Sequence, residues 1–71
     1  MKRIRRSLIR HRYLFTVLPG NEGFSGVLES ADSEFYVLQQ VSAIQSDGTR
    51  TPVDGSLILD RRHVPYLQRE A

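Results

Sequence analysis

The strands that this chain is able to form are apolar on both faces. Tyr13-Leu14-Phe15-Thr16-Val17-Leu18 is an aromatic and β-branched run, and across it Leu14 and Leu18 oppose Phe15 and Val17. Further on, Leu57 and Leu59 oppose Ile58, and Val64 and Tyr66 oppose Leu67. A strand in an isolated antiparallel domain alternates apolar with polar residues, because one side of its sheet meets the core and the other meets water. A chain of 71 residues buries too small a core to cover both sides everywhere. The surplus face is covered either by the N-terminal segment or by another subunit. The subunit interface is the sharper expectation, and its residues are Leu57, Ile58, Leu59, Val64, Tyr66 and Leu67. The sequence has no cysteine for a disulfide and no Cys/His cluster for a structural zinc, so oligomerisation is the staple that remains for a domain this small.

Charge divides the chain in two. Lys2, Arg3, Arg5, Arg6, Arg10 and Arg12 place six of the ten basic residues in the first twelve, while residues 13–71 carry four basic and eight acidic residues, a net of −4. The expected organisation is a basic N-terminal helix or arm over 1–12 and a β-barrel over 13–71. Ile4 and Leu8 recur at helical spacing, so the arm is either a short helix docked on the body or a disordered tail. No apolar run approaches the length of a membrane span, and the basic residues are not followed by a continuous apolar stretch. The expectation is a soluble, cytoplasmic protein without a membrane partner.

Leu18-Pro19-Gly20-Asn21 stops the first strand, with Pro19 and Gly20 suited to the centre of a type II turn. Gly23 to Leu28 forms the second strand, with Phe24 and Leu28 on one face. Gly26 between them marks the bend that a small barrel needs in order to close. After the turn at Ala31-Asp32-Ser33, Glu34 to Ile44 reads as a third strand, with Phe35, Val37 and Val41 on one face and Tyr36 and Leu38 on the other. Ser46-Asp47-Gly48-Thr49 is a hairpin signal. Ser56 to Leu59 is a fourth strand. Asp60-Arg61-Arg62 is a tight connection and His63 to Gln68 a fifth strand, which Pro65 confines to an edge.

From Tyr13 to Gln68 the chain resembles the Sm-like (Sm/LSm-type) family. Leu18, Phe24, Gly26, Leu28 and Asp32, followed by Tyr36-Val37-Leu38, stand at the spacing of the family's first motif. The second motif is similar to the run from Gly55 to Leu67, after a variable loop at about Gln45 to Asp54. The resemblance implies an all-β fold: a strongly bent, five-stranded barrel of SH3 type capped by an N-terminal helix. It also implies pairing of the fourth strand of one subunit with the fifth of the next. Heterologous pairing of that kind closes into a homo-oligomeric ring, of about five to seven members in this family.

The resemblance fails at the family's uridine pocket. Asp32 matches, but Glu34 stands at the stacking position and Tyr36 at the asparagine position, and Asp60-Arg61 replaces arginine-glycine. Carboxylates at Glu34 and Asp60 repel phosphate. Tyr36 is open to two readings, a ring that stacks on a base or a packing residue of the barrel. In overall style the chain also resembles small Sm-like proteins encoded by bacteriophages.

No chemistry of catalysis is legible. The two histidines, His11 and His63, have no nucleophile signature beside them. Glu29, Asp32 and Glu34 are too few for a hard-cation loop and read as a solvated turn that Asp32 caps. Gly20, Gly23 and Gly26 lack the strand-then-helix setting of a phosphate loop. We therefore expect no enzyme, no cofactor, no metal and no small-molecule substrate. The leading expectation is a ring subunit that contacts single-stranded RNA or DNA through Lys2, Arg3, Arg5, Arg6, Arg10 and Arg12, with Arg61, Arg62 and Tyr36 as a second patch. The alternative is an architectural ring of a phage particle or its assembly machinery, in the virion, holding a phage structural protein or packaged DNA.

Overall fold

The computed structural model describes residues 8–70. Of the N-terminal helix or arm expected over 1–12, residues 1–7 lie outside the described residues; Leu8 to His11 form turns, with Arg10 left-handed at φ 68°, and Arg12 already begins the first strand, so no helix reaches the barrel there. Among the described residues six strands follow in order: β1 (Arg12–Val17), β2 (Glu22–Ala31), β3 (Phe35–Ile44), β4 (Arg50–Val53), β5 (Leu57–Asp60) and β6 (Leu67–Arg69), with a 3₁₀ turn at Arg61–His63 before β6. All pairings are antiparallel, in the order β4-β3-β2-β1-β6, with β5 also on β3. β3 therefore has two partners along one edge: Phe35–Leu38 pair with β5 and Val41–Ile44 with β4.

Two differences from the sequence reading concern where strands start and stop. The stretch taken for a variable loop contains β4, and Asp54-Gly55-Ser56 interrupts what would otherwise be one long strand, with Gly55 at φ +77°. The fifth strand is shorter than expected: Arg61–His63 turns, and only Leu67–Arg69 pairs with β1. Near the start of the sheet, the left-handed residue after β1 is Asn21 (φ 52°) and not Gly20, so Pro19-Gly20 does not form the type II turn.

The core is Tyr13, Phe15, Leu28, Tyr36, Leu38, Val41, Leu59 and Val64. Tyr13 and Phe15 meet edge to face at 6.1 Å, and Phe15 and Tyr36 lie 5.8 Å apart. Two devices bend the sheet around this core. In β2 the register slips between Ser25 and Val27 and again between Leu28 and Ser30. Gly26 sits at the first slip with its α-carbon against the core, so that a Cβ there would stand 2.9 Å from Leu38 Cδ2. In β3, Gln40 adopts φ 52°, a left-handed conformation that non-glycine residues rarely hold. Strand alternation breaks at this point. Val41, which strict alternation puts with Phe35 and Val37, is instead buried beside Tyr36 and Leu38.

Candidate nucleic-acid interface and assembly edges

The six residues expected at a subunit interface separate into three groups. Leu59 and Val64 belong to the barrel's own core, and Leu57 and Leu67 are half-buried against it. Ile58 and Tyr66 project outward, 62% and 56% exposed. Val37 pairs with Ile58 and Phe35 with Asp60, so Phe35, which is also exposed, lies on the same outer face of the β3–β5 hairpin as Ile58. β5 pairs only with β3, and β6 only with β1, among the described residues. Each has a second edge free; the exposed Ile58 projects from β5, and the exposed Tyr66 from the segment immediately before β6.

Asp32, Glu34, Tyr36, Asp60, Arg61 and Arg62 come together where the β2–β3 loop meets the turn after β5. Asp32 Oδ1 accepts from the backbone N–H groups of Glu34 (2.7 Å) and Phe35 (2.8 Å), which caps the loop. Arg61 ties the two segments together. Its backbone N–H donates to the Glu34 carbonyl at 2.9 Å, its guanidinium donates to the Asp32 carbonyl, and it lies 5.1 Å from the Tyr36 ring centroid. Tyr36 is 6% exposed, so the ring considered for base stacking is core with an arginine over it. Arg62 makes a two-point pair with Asp60, at 2.7 Å for Nη2. The side-chain and backbone hydrogen bonds from Arg62 lower the Asp60 carboxyl to about 2, and the same pair raises the Arg62 guanidinium. The shallow cavity beside them, about 340 Å³, is lined by Ser33, Glu34, Phe35, Asp60 and Arg62. Arg61 is thus tied to the β2–β3 loop, while Arg62 stands at the surface, its side chain 83% exposed, in an ion pair with Asp60.

At the opposite end of β1 the basic arm meets the barrel. Lys2, Arg3, Arg5 and Arg6 lie outside the described residues. Arg10 is exposed and has no polar side-chain partner among them. Arg12 opens β1 instead of ending the arm, and its guanidinium is committed: Nη1 donates to Ser25 Oγ (3.2 Å) and to the Gln40 carbonyl (3.1 Å), and Nη2 to Gln40 Oε1 (3.2 Å). Ser25, fully buried, in turn donates to Glu70 Oε2 at 2.7 Å, and Arg50 pairs with Glu70 Oε1 at 2.7 Å. The Arg50 hydrogen bond, with Ser25 adding to it, holds the Glu70 carboxyl below the usual range. Next to this network is an open depression of about 520 Å³ lined by Arg10, Val27, Glu29, Gln39 and Gln40.

The sequence reading missed this Arg12–Ser25–Glu70–Arg50 network. Ser25 and Glu70 are 45 positions apart, and no local pattern links a serine in one strand to a penultimate glutamate. No group of three potential metal ligands occurs among the described residues.

A short bent antiparallel sheet whose two longest strands are both kinked, and whose last strand returns to pair with its first, is the Sm fold. Compared by sequence, the chain matches no family model and no curated protein. Compared by structure, it is similar to a heptameric archaeal Sm protein, with TM-score 0.81 over 93% of this chain and 94% of that one at 18% identity. It is similar also to the SmAP1 heptamer of P. aerophilum, with TM-score 0.79 over 93% of this chain and 86% of that one, again at 18% identity.

Proposed function

We propose that this chain is a non-enzymatic ring subunit that contacts single-stranded nucleic acid through its basic N-terminal segment and uses the barrel for assembly. The observation that carries the assembly half is the pair of free edges, one on β5, which carries the exposed Ile58, and one on β6, which the exposed Tyr66 immediately precedes. An edge strand with an exposed apolar side chain invites pairing with another chain. Two different edges on one subunit make a head-to-tail contact, which closes into a ring when the rotation permits. The heptameric state of both structural neighbours accords with seven members. The nucleic-acid half rests on charge. The acidic excess lies in the barrel, Arg61 is held by the loop and Arg62 is paired at the surface with Asp60, so we assign the phosphate contacts to Arg3, Arg5, Arg6 and Arg10. A ring multiplies these arms and raises avidity.

The occupied loop site favours a second reading. With Arg61 over Tyr36 and the carboxylates of Glu34 and Asp60 lining the cavity between the loops, the barrel has a fold suited to rings but a loop site that disfavours phosphate. An architectural ring, of a phage particle or otherwise, needs only the assembly features and would use the arm to hold packaged DNA or an acidic protein.

Native mass spectrometry at low salt tests both halves. A single closed oligomer near seven subunits with nuclease-sensitive added mass is the expected result. A monomer refutes the assembly half. A ring whose affinity for oligonucleotides is unchanged after Arg3, Arg5, Arg6 and Arg10 are replaced by glutamine refutes the arm. A ring that comes down with one structural protein and no nucleic acid selects the second reading.

A further inference from the structure

We infer that the depression at the foot of the arm, lined by Arg10, Val27, Glu29, Gln39 and Gln40, is a nucleobase site that selects guanine. The inference rests on the nucleic-acid reading above but concerns a place that the arm argument does not use. It begins with the left-handed Gln40. Adjacent residues of a regular strand point to opposite faces. Because Gln40 sits at φ 52°, Gln39 and Gln40 line the same depression. A non-glycine residue held in this region needs support from its surroundings, and Arg12 supplies it by gripping both the Gln40 carbonyl and Gln40 Oε1.

That grip also fixes which way the amide faces. Arginine is a donor only, so the Gln40 atom that meets it is the oxygen, and the NH₂ group is left to donate elsewhere. Gln39 is turned the other way: its Nε2 donates to Ser56 Oγ at 2.6 Å, which leaves its oxygen as an acceptor. Glu29 adds a carboxylate, an acceptor only, and among the described residues it is paired neither with Arg10 nor with another cation. The polar lining thus offers one amide donor and two acceptors. Val27 offers an apolar surface and Arg10 a cation for the phosphate.

A base that satisfies this set presents more donors than acceptors along one edge. Guanine does so, with O6 to receive the Gln40 N–H and with N1–H and N2–H₂ to donate to Glu29 and Gln39. Uracil has one donor. Cytosine and adenine donate only through their exocyclic amines. Each leaves part of the lining unpaired, which is the penalty that discriminates among bases.

The test is a ¹H–¹⁵N NMR titration of the full chain with GMP, AMP, CMP and UMP in turn, following the side-chain amide signals of Gln39 and Gln40. GMP is expected to move both signals and to bind at least about tenfold more tightly than CMP. Gln40→Glu keeps an oxygen for Arg12 and replaces the presented N–H by a carboxylate oxygen, whose charge repels the phosphate of all four nucleotides alike. It is expected to weaken GMP binding at least about tenfold more than CMP binding, with the fold retained by circular dichroism, and an equal loss for both overturns the guanine contact. Glutamine amides that stay in place with GMP, or four nucleotides that bind alike, overturn the proposal. The two ideas fail separately. GMP shifts that persist while oligonucleotides do not bind refute the arm and leave the pocket standing, and oligonucleotide binding without GMP shifts does the reverse.

Discussion

Replacing either of two glycines of β2, three residues apart, by alanine is expected to change stability in opposite directions. At Gly26 the new Cβ would stand 2.9 Å from Leu38 Cδ2 and 3.3 Å from both Leu38 Cβ and Val41 Cγ2. Leu38 is fully buried and Val41 2% exposed, so neither can swing into solvent to make room. The side chain's tip can rotate, but the two 3.3 Å contacts are to atoms close to the β3 backbone, so β2 and β3 must separate at the bulge. Overpacking of this kind costs about 1–3 kcal/mol. At Gly23 the nearest atom is Ile44 Cβ at 3.5 Å, ordinary van der Waals contact, and φ is not left-handed. There alanine restricts the unfolded chain and fills space beside Ile44, for a gain of about 0.4–1 kcal/mol. The two variants should therefore differ by about 1.4–4 kcal/mol, the sum of those two effects. For a domain with an m-value near 1 kcal/mol/M this is a separation of about 1.4–4 M in urea midpoint. Both unfolding curves should be recorded at one protein concentration, so that any ring contributes equally. A Gly26→Ala midpoint equal to or above that of Gly23→Ala would refute the close approach of β2 and β3 as the origin of the bend.

Ile58→Lys should abolish assembly and leave the fold intact. Full burial of such a side chain is worth about 1.5–3 kcal/mol, so the 62% now exposed is worth about 1–2 kcal/mol per interface, before the cost of burying an ammonium is added. Size-exclusion chromatography with light scattering should show a folded monomer, and a ring persisting at micromolar concentration would sink the edge-pairing scheme. Acid should destabilise the wild type through its lowered carboxyls, Asp47, whose carboxylate accepts from Thr49, together with Asp60 and Glu70. Asp60 and Glu70 are both lowered in the folded state, so their contributions are present above the ordinary carboxylate range and are lost as pH falls, for Asp60 down to about 2. In denaturation midpoints measured between about pH 6 and 2, Glu70→Gln should flatten the upper part of that decline and Asp60→Asn the lower part, and slopes identical to wild type would contradict the assignment. Arg61→Ala should cost about 2 kcal/mol, from the cation–π contact and a charged hydrogen bond, and should expose the Tyr36 ring to acrylamide. The sequence has no tryptophan but three tyrosines, so the comparison is made in a Tyr66→Phe background, where both remaining rings, Tyr13 and Tyr36, are buried; unchanged quenching there would mean that Arg61 does not cover the ring.

The sequence by itself determined the fold class and most strand positions. The reason is local: apolar and β-branched runs, bounded by Asp47-Gly48 and by the Asp32 cap, satisfy the backbone only as antiparallel strands. Gly26 was readable as a bend because a glycine inside such a run has little other use. Tertiary structure decided which of two apolar faces is inside. Leu59 and Val64 go into the core while Ile58 and Tyr66 stay out, and alternation alone is symmetric between those outcomes. Tertiary structure also moved Val41 to the inner face, because the left-handed Gln40 resets the pleat and is held there by Arg12, 28 positions away. The arginines show the same limit. Composition counts Arg10, Arg12, Arg61 and Arg62 as equal cations. Only the folded chain brings Ser25 and Gln40 to Arg12, Asp32 and Tyr36 to Arg61, and Asp60 to the Arg62 side chain. Among these four, Arg10 alone is left without a polar side-chain partner within the described residues.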